Sequence, residues 1–133
     1  MPAYDSNLFD PPAPVAVVSV RDPRRGSTVR NVPMLIDSGS DVSLVPRTSF
    51  DELNLEIDPN AGYELEGFDG RRTMAQVAQV AQLDLIFVEK AFRGKYVIID
   101  SNMGILGSDV LNHVAVLLDG PRLSWHEQKD SSE

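Results

Sequence analysis

The chain has no cysteine in its 133 residues. That excludes a disulfide framework, a thiol nucleophile and any cysteine-based zinc site. Histidine is nearly as scarce: His113 and His126 are the only two. Neither stands near a glycine-framed serine, so a Ser-His-Asp triad is not expected. Long apolar runs are missing as well. No segment approaches the roughly 18 consecutive apolar residues of a membrane span, and the opening MPAYDSNLFDPPAPVAVV lacks the basic start and apolar stretch of a secretory signal. Positive charge is in short supply, with 12 Lys and Arg against 20 Asp and Glu and a net charge of −8. Such a chain has no electrostatic footprint for phosphate backbones or anionic lipid, so neither a nucleic acid nor a membrane is expected as a partner. A cytoplasmic protein, or a domain cut from a larger polypeptide, is the expectation.

What is present reads as one ordinary globular domain, with 42% hydrophobic and 24% charged residues. Residues 1–13 are polar and proline-rich (Pro2, Pro11, Pro12) and read as a flexible arm that no core of a single chain uses. Residues 14–126 read as the domain, and 127–133 as a disordered tail. Within the domain, Val15–Val20 and Val29–Ile36 read as strands joined by the turn RDPRRGST. After Pro46, RTSFDELNL fits about one helical turn capped by Thr48 or Ser49. A loop, IDPNAG, leads to the alternating run Tyr63–Glu66, and Gly67-Phe68-Asp69-Gly70 carries the Asp-Gly signal of a hairpin turn. Thr73–Val88 contains AQVAQVAQL, whose period of three and content of Ala and Gln also suit a helix. Apolar density continuing into LDLIFV, and a turn at Lys90–Gly94, favour a pair of strands. Lys95–Asp100 is a further strand. Ile105-Leu106 reads as buried, Ser108 as the cap of a short helix reaching Asn112, and VAVLL-DG-PRLSW as a last hairpin. The expected fold is all-β with one or two short helices.

One stretch asks for chemistry. In PMLIDSGSDVSLVP, residues 33–46, an acidic loop is driven between two apolar runs that read as core. A loop of Asp, Ser and Gly is ordinary turn chemistry at a surface, but not between buried strands. Asp37, Gly39 and Asp41 alternate like the start of a calcium loop, yet the glycine comes early and no Glu stands at the twelfth position. Gly67 and Gly70 lack the Lys-Ser/Thr that would make a phosphate loop. Two carboxylates sharing one proton across a water do need such a loop, small enough for a pair of them to approach and walled by apolar strands.

The pattern Leu35-Ile36-Asp37-Ser38-Gly39-Ser40 resembles the active-site motif of the retropepsin-like aspartic peptidases, the single-domain relatives of pepsin. A second signature of that family, two apolar residues and a glycine entering a short helix, matches Ile105-Leu106-Gly107 and the following SDVLN. Order and spacing agree across residues 15–125. The resemblance implies a closed, barrel-like all-β fold with a flap hairpin at Gly67, Phe68, Asp69 and Gly70. It implies an aspartic endopeptidase without cofactor or metal, acting on a peptide or protein substrate. Asp37, Ser38 and Gly39 would form the catalytic loop, and Ile105, Leu106 and Gly107 would support it. With one catalytic Asp per chain the enzyme would be a homodimer, its interface sought in the terminal segments 1–13 and 121–126.

Two positions depart from the pattern: Ser38 replaces the commoner Thr, and Asp69 stands at the flap tip where glycines are common. An alternative of another class is a catalytically weak member of the fold, serving as a dimerisation or peptide-binding module. For the other candidates a structural role is expected. Asp41 reads as a loop acid bonded to main chain, Asp109 as a first-turn helix acid, Asp100 as a loop residue and Trp125 as core or interface. For Arg47 and Arg122, pairing with acids at the dimer interface and simple solvation are both expected alternatives.

Overall fold

Alternation of side chains in and out of a curved sheet builds this protein. The computed structural model describes residues 2–53, 62–66 and 72–128, with the main chain alone for 62–66 and 72–81. Among the described residues ten strands carry the fold: β1 (Tyr4–Asp5), β2 (Ala13–Arg21), β3 (Thr28–Ile36), β4 (Leu44–Pro46), β5 (Gly62–Glu66), β6 (Arg72–Phe87), β7 (Lys90–Ile99), β8 (Gly104–Leu106), β9 (Val116–Asp119) and β10 (Ser124–Glu127). Helix α1 (Arg47–Leu53) follows β4, α2 (Ser108–Leu111) follows β8, and a 3₁₀ turn (Gly120–Arg122) joins β9 to β10. The order β2-β3-β8-β4-β7-β6 returns on itself because β6 also pairs with β2, which closes a six-stranded barrel. The all-β expectation with few short helices holds.

Where side chains are described, alternate residues of β2, β3 and β6 point inward. Ala16, Val18 and Val20 of β2, Val32 and Met34 of β3, Leu83, Leu85 and Phe87 of β6, and Tyr96 and Ile98 of β7 form one core with Val45, Phe50, Leu53, Leu106, Val110 and Trp125. Fully burying a Leu, Val or Phe side chain is worth about 1.5–3 kcal/mol, so this cluster is the main stabilising term. Trp125 lies in that core, 5.8 Å from the Phe87 ring between centroids, and its Nε1 donates to the Val15 carbonyl at 3.2 Å.

The barrel closes on a row of charges. Arg21 of β2 is opposite Asp84 of β6, and Asp84 is opposite Arg93 of β7, so three adjacent strands bring one carboxylate between two guanidinium groups. Arg21 donates to Asp84 Oδ2 from Nε at 3.1 Å and Nη2 at 2.8 Å, and Arg93 Nε donates to Oδ1 at 2.9 Å. The Asp84 side chain is 2% exposed, while both arginines keep one side in water. Alternation explains the arrangement: Leu83 and Leu85 face inward, so Asp84 faces outward and is buried by its partners.

Several local expectations are corrected. The stretch Thr73–Val88 is not a pair of strands: up to Phe87 it belongs to one strand of 16 residues, which pairs with β5 at its start and with β7 and β2 further on. Its turn comes at Val88 and Glu89, both with positive φ (48° and 64°), before Lys90 rather than after it. Helix α1 begins at Arg47 directly after Pro46, so Thr48 and Ser49 lie inside it and Ser49 is buried. The arm expected to hang free is held at its beginning: Tyr4 and Asp5 pair with Pro14 and Ala13, and Tyr4 packs against the core. Glu127 lies in β10 and the Gln128 N–H donates to the Ala115 carbonyl at 2.8 Å, so the ordered chain runs past the expected boundary at 126. Residues 129–133 are outside the described residues.

The charge row yields a test. Hydrogen bonding from Arg93 holds the Asp84 carboxyl below its ordinary 3.8, against desolvation and with help from Arg21. A depressed carboxylate contributes stability above its unfolded value and loses it as pH falls through the folded one. Asp84→Asn is therefore expected to cost about 2 kcal/mol at neutral pH. The urea midpoints of the two proteins should keep a constant gap at neutral pH and converge as pH is taken below 3.8. A gap independent of pH would show that shape, not charge, matters at this position.

Candidate active site

The apolar runs on either side of Asp37 are pulled to one place by a third strand. β8 lies between β3 and β4, pairing in parallel with β3 (Leu35 with Ile105, Ile36 with Leu106) and antiparallel with β4 (Leu44 with Ile105). The loop 37–43 must therefore cross the end of β8. Asp37 continues the ladder, its N–H donating to the Leu106 carbonyl at 3.0 Å. Its carboxylate accepts the Gly39 N–H at 3.0 Å on Oδ1, which orients the acid, and the side chain is half-buried.

Close approach of main chain to main chain locks the loop. A Cβ built on Gly107 would lie 2.5 Å from the Val42 carbonyl oxygen and 2.7 Å from that of Ser40, so only glycine fits. From Gly107 onward three contacts reach back: Gly107 N–H to Ser43 Oγ at 2.9 Å, Ser108 N–H to the Ser40 carbonyl at 2.7 Å, and Ser108 Oγ to the Ser38 carbonyl at 3.1 Å. Asp109 completes the clamp, accepting the Ser43 N–H at 3.0 Å and the Ser43 hydroxyl at 2.6 Å.

Of the residues singled out from sequence, the fold brings together Asp37, Ser38, Gly39, Ile105, Leu106 and Gly107. Gly67, Phe68, Asp69 and Gly70 lie outside the described residues. β5 and β6 pair on either side of them, as far as Glu66 with Arg72. The loop is locked by groups other than the Ser38 hydroxyl. Ser38 is exposed and held through its carbonyl, while Ser40 Oγ donates to the Val42 carbonyl at 2.7 Å. Asp109 does sit in the first turn of α2, but its carboxylate is committed to Ser43, and the helix cap is Gly107, not Ser108. Asp41 is exposed and makes no hydrogen bond among the described residues, contrary to the expected main-chain contact. Arg47 pairs with Asp100, and Arg122 Nε lies 3.7 Å from Asp119 within its own hairpin. Sequence reasoning missed Ser43 and Asp109 as partners. A serine inside the apolar run VSLV, fully buried in the structure, was the available signal.

Fold and loop together define a single-lobed barrel bearing one aspartate on a clamped loop, and the chain has a retropepsin-like fold. EIAV protease, in a complex with an inhibitor, is similar to it with a TM-score of 0.58 and 18% identity over 76% of this chain and 86% of that one. A retropepsin-like aspartic protease from Rickettsia conorii aligns with a TM-score of 0.42 and 13% identity over 75% and 81% of the two chains. No protein-family model and no curated protein sequence matches the chain.

Two substitutions test the clamp. Gly107→Ala forces backbone apart and is expected to cost about 3 kcal/mol. Asp109→Asn keeps one acceptor for Ser43 but not two, with an expected loss of about 1–2 kcal/mol. Both are read from urea unfolding. A stability for Gly107→Ala equal to wild type would mean that the loop is not held as described.

Proposed function

We propose that the protein is an aspartic endopeptidase, working as a homodimer in which each chain supplies one Asp37. The observation that carries this reading is the Asp37 carboxylate itself. It is half-buried, aimed by the Gly39 N–H, and fixed on a loop that β8 and α2 clamp from below. Turn chemistry alone does not require such a clamp, whereas a catalytic acid does, because small displacements of a reacting group are costly. Two such carboxylates across a two-fold axis share one proton. The ionised one takes a proton from a water, the hydroxide so formed adds to the scissile carbonyl carbon, and the protonated one gives its proton to the carbonyl oxygen. Collapse of the tetrahedral intermediate, with proton transfer to the departing nitrogen, releases an amine and an acid. A substrate held extended presents its carbonyl to this pair.

The test is cleavage of a random peptide library by wild type beside Asp37→Asn, which keeps the shape and removes the charge. Cleavage is expected to fall to background while urea stability is retained. The rate for wild type should trace a bell against pH with a mildly acidic optimum, since only the singly protonated pair is active. Undiminished cleavage by Asp37→Asn, or a rate abolished by a chelator, would overturn this function.

A further inference from the structure

Positive charge is scarce in this chain, and it is not spread evenly. Half of the 12 Lys and Arg residues, Arg21, Arg24, Arg25, Arg30, Arg93 and Lys95, gather on one outer face of the barrel. Strand alternation puts them there. Val20, Val29, Val32 and Tyr96 turn toward the core, so Arg21 of β2, Arg30 of β3, and Arg93 and Lys95 of β7 turn outward. β2 pairs with β3 on one side and with β6 on the other, and β6 pairs with β7. The turn between β2 and β3 adds Arg24 and Arg25. Asp22 fixes that turn, its carboxylate accepting the Arg24 N–H at 2.9 Å and its carbonyl the Gly26 N–H at 2.8 Å.

The acids on this face, among the described residues, are Asp22 and Asp84, and both are buried. Asp84 is shared by Arg21 and Arg93, so one negative charge answers two positive ones. Arg25 Nε stands 3.9 Å from Asp22 Oδ2. Arg24 and Arg30 are exposed and make no ion pair among the described residues. Like charges on neighbouring strands repel, and the closure of the barrel uses only Arg21 and Arg93. Nothing in the packing calls for Arg24 or Arg30. A guanidinium left open presents a fork of donors that fits a carboxylate. Val17, 64% exposed, stands on the same outer side of β2 as Arg21 and adds an apolar contact.

We propose that this face docks an acidic segment of a protein substrate, away from the bond that is cut. It rests on the peptidase reading of Asp37 only in calling that protein a substrate. Charge complementarity selects the occupant. With a net charge of −8 the chain as a whole repels an acidic segment, and this face attracts it. A nucleic acid is disfavoured, because the same negative charge repels a long polyanion. Nor is an aromatic ring, on which a base would stack, among the large hydrophobic side chains exposed in the described residues. A second copy would have to meet this face with a different surface, a head-to-tail contact that does not close. Arg30 precedes Asp37 by seven residues of β3 and its end, which is about 24 Å at ~3.4 Å per residue. A substrate therefore needs about seven or more extended residues between its acidic segment and the bond cut.

Fluorescence anisotropy on Asp37→Asn, so that no probe is consumed, measures binding of a labelled peptide of alternating Glu and Val. The same peptide with Gln for Glu, and a single-stranded oligonucleotide of equal charge, are the control probes. The Glu peptide is expected to bind, more weakly as salt rises, and the Gln peptide not to bind. Arg24→Glu and Arg30→Glu, added singly, should each weaken binding roughly fivefold. Arg122→Glu, an equal change of charge outside this face, should leave binding unchanged. Circular dichroism checks that all three stay folded. No binding of the Glu peptide, an equal loss in Arg122→Glu, or tighter binding of the oligonucleotide would each overturn the proposal. So would a change in sedimentation of the protein alone on Arg30→Glu, which would give the face to a second copy. Cleavage by wild type is read on a peptide carrying the acidic stretch beyond a spacer. Its KM should lie below that of the Gln version at equal kcat, and Arg30→Glu should remove the difference. Cleavage without that difference defeats the proposal and leaves the peptidase reading standing. Binding that depends on Arg24 and Arg30, with no peptide cleaved, supports the docking face and defeats the peptidase reading.

Discussion

The contact of Gly107 with the main chain of Ser40 and Val42 is the constraint on which the candidate site depends. At this distance there is room for a hydrogen atom and nothing more. Because the two segments touch, the N–H groups at the start of α2 and the Ser108 hydroxyl reach the carbonyls and the buried serine of the Asp37 loop. Without that approach the loop would be an exposed Asp-Ser-Gly turn, free to relax. With it, the acid is aimed by a neighbouring amide and backed by a sheet.

The clamp is only as rigid as the barrel that carries it. β8 has just three residues and is held because β3 and β4 flank it, and those strands belong to a ring that closes where β2 meets β6. At that closure the Arg21-Asp84-Arg93 row adds directional hydrogen bonds where apolar packing, which has no preferred register, would tolerate a slip. Apolar side chains inside the barrel supply the bulk of the stability, and a few buried or half-buried polar groups set alignment.

The sequence by itself determined the class of the fold and the chemistry to look for. Period-two alternation in β2 and β3, Asp-Gly at a turn, and an acidic loop between apolar runs are local signals, produced by side-chain direction and turn stereochemistry over a few residues. Tertiary structure alone decided the rest. That Ser43 and Asp109 are partners across 66 positions depends on β8 threading between β3 and β4, which no local pattern encodes. That AQVAQVAQ is strand depends on neighbours on both sides of β6, because Ala and Gln suit a helix better when nothing pairs with them. That the proline-rich arm is held depends on an open edge of β10 more than 100 residues away in sequence. In each case the deciding energy comes from contacts distant along the chain, and those exist only once the barrel has closed.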